Sequence, residues 1–144
     1  MGVGEQIISQ PAGYSGKPLG KKLGFKPGFN ICLVNAPEYY FNLFSELPAD
    51  VAFNKNGDEK RDLIHFFTKE TQEYFEKLPF LKTQIKVNGT IWVSWPKKTS
   101  KVKTDISEQI IRDYALKIGL VDIKICAVDD TWSGLKLVIP LKDR

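Results

Sequence analysis

Residues Phe29–Pro37 have the sequence FNICLVNAP, in which a continuous apolar centre is followed by an Asn-Ala-Pro turn. A strand that is apolar at successive positions suits burial on both faces, which is the environment of a strand in a parallel sheet. Strand-like and helix-like segments alternate along the rest of the chain. The sequence therefore predicts an α/β fold with three layers, in which helices cover both faces of a mostly parallel sheet.

The remaining elements follow from turn signals and apolar spacing. Asp129–Gly134 separates the last two strands and predicts a C-terminal antiparallel hairpin, which would form one antiparallel edge of the sheet. Pro79 is expected to bend or break the helix that contains it. The sequence predicts helices at 18–24, 39–47, 71–87 and 106–118, and strands at 29–35, 51–54, 63–67, 90–95, 121–128 and 135–141.

The length of 144 residues and the mass of 16.3 kDa suit one domain, which we assign to 1–144. Residues 1–17 are rich in Gly, Ser and Pro without any period, and we expect an irregular N-terminal arm there. Hydrophobic residues make up 42% of the chain and charged residues 26%, as in ordinary globular proteins. A net charge of +4 is mild, so composition alone does not indicate a nucleic-acid partner.

Several classes of protein are disfavoured. No apolar run approaches the roughly 20 residues of a membrane helix. Met1–Gln6 contains neither a secretion signal nor a myristoylation signal, so we expect a cytoplasmic protein.

Cys32 and Cys126 lie in strand-like segments and are expected to be buried thiols, with a disulfide as the alternative. The only histidine, His65, lacks partners at motif spacing, so we expect it packed and hydrogen bonded, and we assign no catalytic residue and no metal site.

Two segments and the closing pair of strands resemble parts of a shortened methyltransferase-like Rossmann fold. Lys22–Gly28 is similar to the entry to the first strand of that superfamily, and Val87–Val93 is similar to its fifth strand. The resemblance implies binding of S-adenosylmethionine by a glycine-rich turn after the first strand and an acidic residue that ends the second. The corresponding segments here are Asn35–Glu38 and Phe53–Lys55, which contain neither feature.

A second resemblance runs along nearly the whole chain. Its marks are Gly13–Leu19, Leu33–Pro37, Trp95–Lys98 and Asp129–Lys136. These segments resemble a family of small bacterial proteins named only as domain of unknown function 3052. The resemblance implies membership of that family and no particular activity.

Candidate ligand-binding residues cluster after the predicted strands. The carboxyl ends of parallel strands meet at one edge of a sheet, which is where open α/β sheets bind ligands. In Trp95–Lys98 an aromatic ring stands beside ammonium groups, which suits a phosphate or carboxylate, whereas a core tryptophan beside solvated lysines is the alternative. The candidate set comprises Tyr14, Ser15, Lys17, Asn35, Trp95, Lys97, Asp129, Trp132, Ser133 and Lys136.

Other members of this set also have two interpretations. Trp132 in a hairpin tip would act as a lid or a self-association contact, unless the tip is only a turn in which Gly134 supplies a positive φ angle. Tyr14 and Ser15 would offer backbone amides to an anion or belong to an ordered arm. Asp129 with Asp130 would bind a hard cation or remain solvated.

The leading functional hypothesis is a non-enzymatic domain that binds a small anionic ligand or a protein partner at the carboxyl edge of the sheet. The alternative is a divergent S-adenosylmethionine-dependent methyltransferase-like enzyme. Nucleic-acid binding through Lys97, Lys98, Lys101 and Lys103 ranks last. The residues identify no cofactor, and a single site at this edge requires the Trp95 and Trp132 segments to lie at the same end of the domain.

Overall fold

The computed structural model describes residues 17–144, so the candidates Tyr14 and Ser15 lie outside the described residues. Short 3₁₀ turns occur at Tyr40–Leu43, Lys98–Ser100 and Leu141–Asp143. The helices are α1 (Leu19–Leu23), α2 (Thr71–Thr83) and α3 (Glu108–Lys117), and the strands are β1 (Asn30–Val34), β2 (Ala52–Phe53), β3 (Arg61–Phe67), β4 (Ile85–Pro96), β5 (Val121–Ala127) and β6 (Trp132–Val138).

The six strands form one sheet in the order β2-β1-β3-β4-β6-β5. β1 pairs in parallel with β2 and β3, and β3 pairs in parallel with β4. β6 runs antiparallel to both β4 and β5, which confirms the mostly parallel sheet and the C-terminal hairpin. The predicted antiparallel edge is also present: β6 lies beside β4, and β5 is the edge strand, paired antiparallel with β6.

Each face of the sheet is covered by its own elements. One face, here called the helix face, packs against α2 and α3 and contains Phe66, Val93 and Trp95. The opposite face, here called the α1 face, packs against α1 and contains Leu63 and Trp92. Successive side chains of a strand point to opposite faces, so the continuous apolar runs are buried on both sides as predicted.

Two boundaries between α2 and β4 differ from the sequence prediction. α2 runs through Pro79 and ends at Thr83, and β4 begins at Ile85 rather than at residue 90. The pairing of β3 with β4 is irregular near Arg61, and Gly89 lies inside this part of β4 instead of ending a helix. A Cβ atom on Gly89 would lie 3.0 Å from the Ile85 Cβ, so only glycine allows this backbone approach.

The hairpin is tighter than predicted. β6 begins at Trp132, so Trp132 and Gly134 are strand residues and the turn is confined to residues 128–131. The prediction of a positive φ at Gly134 is wrong. A Cβ atom there would lie 3.2 Å from Cε3 of Trp92 and 3.4 Å from Cγ2 of Val128. Glycine at this position is therefore favoured by the close Trp92 ring and not by turn geometry.

The two cysteines lie on different faces of the sheet. Cys32 packs against the helix-face core and Cys126 against the α1-face core, and both are free. The thiols are half-buried, and burial raises the pKa of each. The structure therefore supports packed thiols over a disulfide. None of the helices within residues 17–144 has the length and apolarity that crossing a bilayer requires.

Candidate functional site

The order of the strands reverses between β1 and β3, because the chain leaves β1 toward β2 while β3 lies on the other side. In open α/β sheets such a switch point leaves a crevice outside the carboxyl ends of the strands, and ligands bind there. The structure has a crevice of about 450 Å³ at this position, here called the switch-point crevice. It is lined by Asn35, Pro37, Phe67, Thr68, Lys69, Glu70, Glu73 and Trp132.

Asn35 forms the turn that ends β1. Its φ angle of 58° lies in the left-handed region, which asparagine tolerates better than most non-glycine residues. Its side-chain amide donates to the carbonyl oxygen of Phe67 at 3.1 Å and to Oε2 of Glu73 at 3.0 Å. Asn35 therefore makes the left-handed turn that a glycine would make, and its side chain also closes the gap between β1 and β3.

Within the described residues, Glu73, in the first turn of α2, is one of two carboxylates that line the crevice, together with Glu70, and Lys69 is the one ammonium group of the lining. Its Oε1 accepts a hydrogen bond from Oγ1 of Thr68 at 2.7 Å, and its Oε2 accepts from Nζ of Lys77 at 2.9 Å as well as from Asn35. Burial by itself would raise the pKa of Glu73, but these three donors hold it below its usual value. The carboxylate is therefore ionised at neutral pH and forms an ion pair with Lys77, and it retains acceptor capacity for a positively charged or hydrogen-donating ligand group.

Phe67 and Trp132 form the aromatic wall of the crevice. Their rings meet edge to face with centroids 5.0 Å apart. Trp132 is half-buried and packs against the α1-face core. The placement of Trp132 in the turn is wrong, because it is the first residue of β6, and its ring packs on Phe67 at the end of β3.

Asp129 has a structural role in the hairpin turn. Its Oδ1 accepts hydrogen bonds from the backbone amides of Thr131 and Trp132, both at 2.8 Å, and its Oδ2 accepts from the Tyr39 hydroxyl at 2.8 Å. Burial and the neighbouring carboxylate raise the pKa of Tyr39. Asp129 is buried and fully engaged, so neither the solvated acid nor the metal ligand considered from the sequence describes it. Within residues 17–144 no acidic or histidine cluster suits a metal ion.

A second crevice, of about 780 Å³, lies between the end of β4 and the start of α3 and is here called the lysine crevice. Trp95 forms part of its lining but is 92% buried by the helix-face core, so much of its ring has a packing role. Arg112 is bound to Glu108 and Asp122. The lining consists of Trp95, Pro96, Lys97, Lys98, Thr99, Thr104, Asp105, Ile106, Ser107, Glu108, Gln109, Arg112 and Ser133.

The candidate set from the sequence divides between these crevices. Trp95 is paired with Ser133, and Pro96 with Trp132, so both tryptophan segments lie at the same edge of the sheet. Side chains alternate along a strand, however, and Trp95 lies on the helix face while Trp132 lies on the α1 face. The set is therefore placed as follows: Asn35 and Trp132 line the switch-point crevice, and Trp95, Lys97 and Ser133 line the lysine crevice.

Two further candidates line neither crevice. Lys136 lies in the middle of β6, paired with Trp92, and a Cβ atom on Gly24 would lie 4.0 Å from its Nζ. Burial first, and then the positive charges of neighbouring lysines, lower the pKa of Lys136. Lys17 is exposed just before α1. The placement of Lys136 at the carboxyl edge was wrong because β6 begins three residues earlier than predicted.

A buried chain of three polar side chains lies beneath the switch-point crevice. Nδ1 of His65 is 2.9 Å from the Tyr40 hydroxyl, and Nε2 is 2.8 Å from Oγ of Ser94. All three residues are almost completely buried, and burial lowers the pKa of His65 to about 3. The prediction that His65 is packed and hydrogen bonded is confirmed. Because Ser94 has no access to solvent, the arrangement holds the 3₁₀ turn at Tyr40 on the sheet and does not form a nucleophilic site.

The second strand also ends in an asparagine. Asn54 has a φ angle of 56°, and its Oδ1 accepts a hydrogen bond from the backbone amide of Leu33 at 2.8 Å. The side-chain oxygen thus caps the end of β1. The amide nitrogen of Asn54 forms no hydrogen bond to the part of the chain that the structure describes, so the end of β2 presents a donor where the methyltransferase superfamily presents a carboxylate.

Comparison with solved structures supports the fold. A SAM-dependent methyltransferase from Aquifex aeolicus superimposes with a TM-score of 0.53 at 15% identity over 83% of this chain and 87% of its own. Magnesium protoporphyrin IX methyltransferase from Synechocystis gives 0.51 at 11% identity, over 79% and 75%. A pericyclic reaction enzyme gives 0.53 at 9% identity, over 86% of this chain and 47% of its own.

These similarities show a methyltransferase-like Rossmann fold, as predicted, and identities this low show the fold alone. No protein-family model matches the chain, and no curated protein matches it. Membership of the family of unknown function 3052 therefore stays a prediction.

Proposed function

We propose that this protein is a methyltransferase-like domain that binds a small ligand through a positively charged group in the switch-point crevice, with S-adenosylmethionine as the ligand class. The observation that carries the proposal is the ionised carboxylate of Glu73 on the floor of the crevice. The similar solved structures include S-adenosylmethionine-dependent enzymes, which favours this alternative over a non-enzymatic anion-binding domain. A positively charged ligand group is favoured over the expected anionic ligand because two carboxylates, those of Glu70 and Glu73, line the crevice against one lysine, Lys69.

Each residue of the crevice has a physical role in such binding. Asn35 and Thr68 donate to Glu73 and hold its carboxylate in one orientation. The carboxylate attracts a sulfonium or ammonium group, and the ring of Trp132 adds a cation–π contact at the wall. When bound, S-adenosylmethionine would supply an electrophilic methyl group.

The fit differs between the two ends of that ligand. The charged methionyl part suits Glu73, whereas the ribose would meet the Asn54 amide at the end of β2 instead of a carboxylate. An amide nitrogen donates hydrogen bonds but cannot accept them from ribose hydroxyls. The proposal therefore concerns binding through the charged end, and methyl transfer to an acceptor needs its own measurement.

The test is calorimetric titration with S-adenosylmethionine and with S-adenosylhomocysteine, which lacks the sulfonium charge. The wild-type protein is expected to bind the sulfonium compound more tightly. Glu73→Gln is expected to weaken binding about tenfold or more, because a hydrogen bond to a charged group contributes about 1.5–3 kcal/mol. Glu76→Gln is the matched control, since Glu76 lies on the same helix outside the crevice lining.

Two outcomes would overturn this proposal. One is the absence of binding at millimolar concentrations of either compound by protein whose thermal melting shows that it is folded. The other is equal affinity of the Glu73→Gln and wild-type proteins. Methyl transfer is measured separately, with radiolabelled S-adenosylmethionine and a panel of small acceptors.

The lysine crevice offers a second candidate function, the binding of a small anion. Lys97, Lys98 and Arg112 line it against two carboxylates, those of Asp105 and Glu108, so the lining carries a net positive charge. Titration with inorganic phosphate is expected to shift the amide NMR signals of residues 97–109. Nucleic-acid binding by the same lysines stays a prediction, and it requires an affinity that falls steeply with added salt.

A further inference from the structure

β5 leaves one side of the sheet open. It pairs with β6 alone among the described strands, so the backbone groups along its outer side have no sheet partner. Two of its apolar side chains are more than half exposed, Ile123 at 56% and Ile125 at 51%. Ile123 lies where the register with β6 shifts, between Asp122 and Lys124.

A group of lysines lies beside this strand on the α1 face. Burial lowers the pKa of Lys136, and the nearby charges of Lys124 and Lys26 lower it further. The charges of Lys124 and Lys22 also act on Cys126, the next residue of β5 on that face. None of these four lysines forms a salt bridge within residues 17–144. Nζ of Lys22 donates a hydrogen bond to the carbonyl oxygen of Ala127, the last residue of β5, at 2.9 Å. The rest of the strand is bordered by lysines that form no salt bridge with the described residues.

The two faces of β5 have different chemistry. Lys124 is opposite Lys136 in the register, which places both on the α1 face. Ile125 is opposite Leu135, a residue of the helix-face core, so Ile125 lies on the other face at the outer rim. A chain that paired with β5 would place successive side chains alternately beside lysines and beside isoleucine.

We propose that the outer edge of β5 binds an extended segment of a partner protein whose residues alternate between acidic and apolar. The segment adds a strand to the sheet, and its backbone bonds to the open side of β5. Its carboxylates lie beside Lys124, and its apolar side chains cover Ile125.

This occupant is favoured over two others. A second copy pairing antiparallel about Lys124, the central residue of β5, would place two positive charges opposite each other, which is destabilising. A nucleic acid would use the lysines but would leave the isoleucines and the backbone edge uncovered. An acidic and apolar strand uses all three features.

The experiment uses an octapeptide of alternating glutamate and valine with blocked ends. Calorimetry is expected to show binding, and hydrogen exchange is expected to show new protection of the β5 amides. Lys124→Glu is expected to weaken binding about tenfold. The matched control Lys55→Glu makes the same change of charge just after β2, at the opposite edge of the sheet, and is expected to bind as the wild type does.

Further measurements distinguish the acidic and apolar segment from a nucleic acid and from a second copy of the chain. A peptide that is N-methylated at every residue has no amide donor on either edge, and its binding is expected to be lost even to the wild-type protein. This measurement does not depend on the folding of any variant. Equal binding of a scrambled peptide or of single-stranded DNA would overturn the proposal in favour of a general polyanion surface. A dimer in sedimentation velocity that Lys124→Ala strengthens would overturn it in favour of a second copy, and no binding at millimolar peptide would also overturn it.

Discussion

Acidification from pH 7 to pH 5 is expected to destabilise this protein through one side chain. His65 is the only histidine in the chain, and it is completely buried with both ring nitrogens hydrogen bonded. Burial lowers its pKa to about 3, whereas an unfolded chain has a histidine pKa of about 6.5. Below pH 6.5 the unfolded state therefore binds a proton that the folded state does not, and stability falls as the pH falls.

The magnitude follows from the two pKa values. Each pH unit between them costs about 1.4 kcal/mol, so stability at pH 5 is expected to be about 2 kcal/mol lower than at pH 7. Most carboxylates remain ionised over this interval, so their protonation adds little. A loss of this size is a large fraction of the stability of an ordinary domain.

Urea denaturation at pH 7, 6 and 5 measures this effect. The variant His65→Gln cannot titrate but can still hydrogen bond to Tyr40 or Ser94. It is expected to be less stable overall, with a free energy of unfolding that is nearly flat between pH 7 and pH 5. The reasoning would be refuted if wild-type stability were the same at pH 7 and pH 5, or if the slope persisted in the variant.

Two further predictions concern the packing at the sheet edge. Gly134→Ala is expected to lower the free energy of unfolding by about 1–3 kcal/mol in urea, because the new methyl group presses on Trp92 and Val128; an unchanged midpoint would contradict this packing. Asn35→Ala is expected to destabilise more than Asn35→Gly, because both lose the bonds to Glu73 but alanine also pays about 1–2 kcal/mol for the left-handed turn. Thermal melting compares the two variants, and the reverse order would contradict the role of the turn.

The location of the candidate site was predictable from the sequence, whereas its composition was not. Asn35 and Trp132 were assigned to the carboxyl edge and do line one crevice there. Trp95 was assigned to the same site but lies on the opposite face of the sheet. Trp95 pairs with Ser133, and Trp132 is the neighbouring residue of β6, so the two tryptophan side chains point to opposite faces. Glu73 was missed, although an acidic residue in the first turn of a helix after a strand is a recognisable signal.

The hydrogen-bond chain of His65 was predictable only in outline. Its apolar neighbours Ile64 and Phe66 indicate burial, and burial requires partners for both ring nitrogens. Tyr40 and Ser94 are 25 and 29 residues away along the chain, so no local pattern identifies them.

The sequence by itself determined the α/β class, the mostly parallel sheet and the edge at which a ligand would bind. These properties depend on apolar periodicity and on turn residues, which act between near neighbours such as those in Phe29–Pro37. The tertiary structure decided that β6 lies inside the sheet, that β5 is the open edge and that Glu73 lines the crevice. Those properties depend on contacts between residues that are far apart in the chain. Packing and strand register create these contacts, and a local sequence pattern does not reveal them.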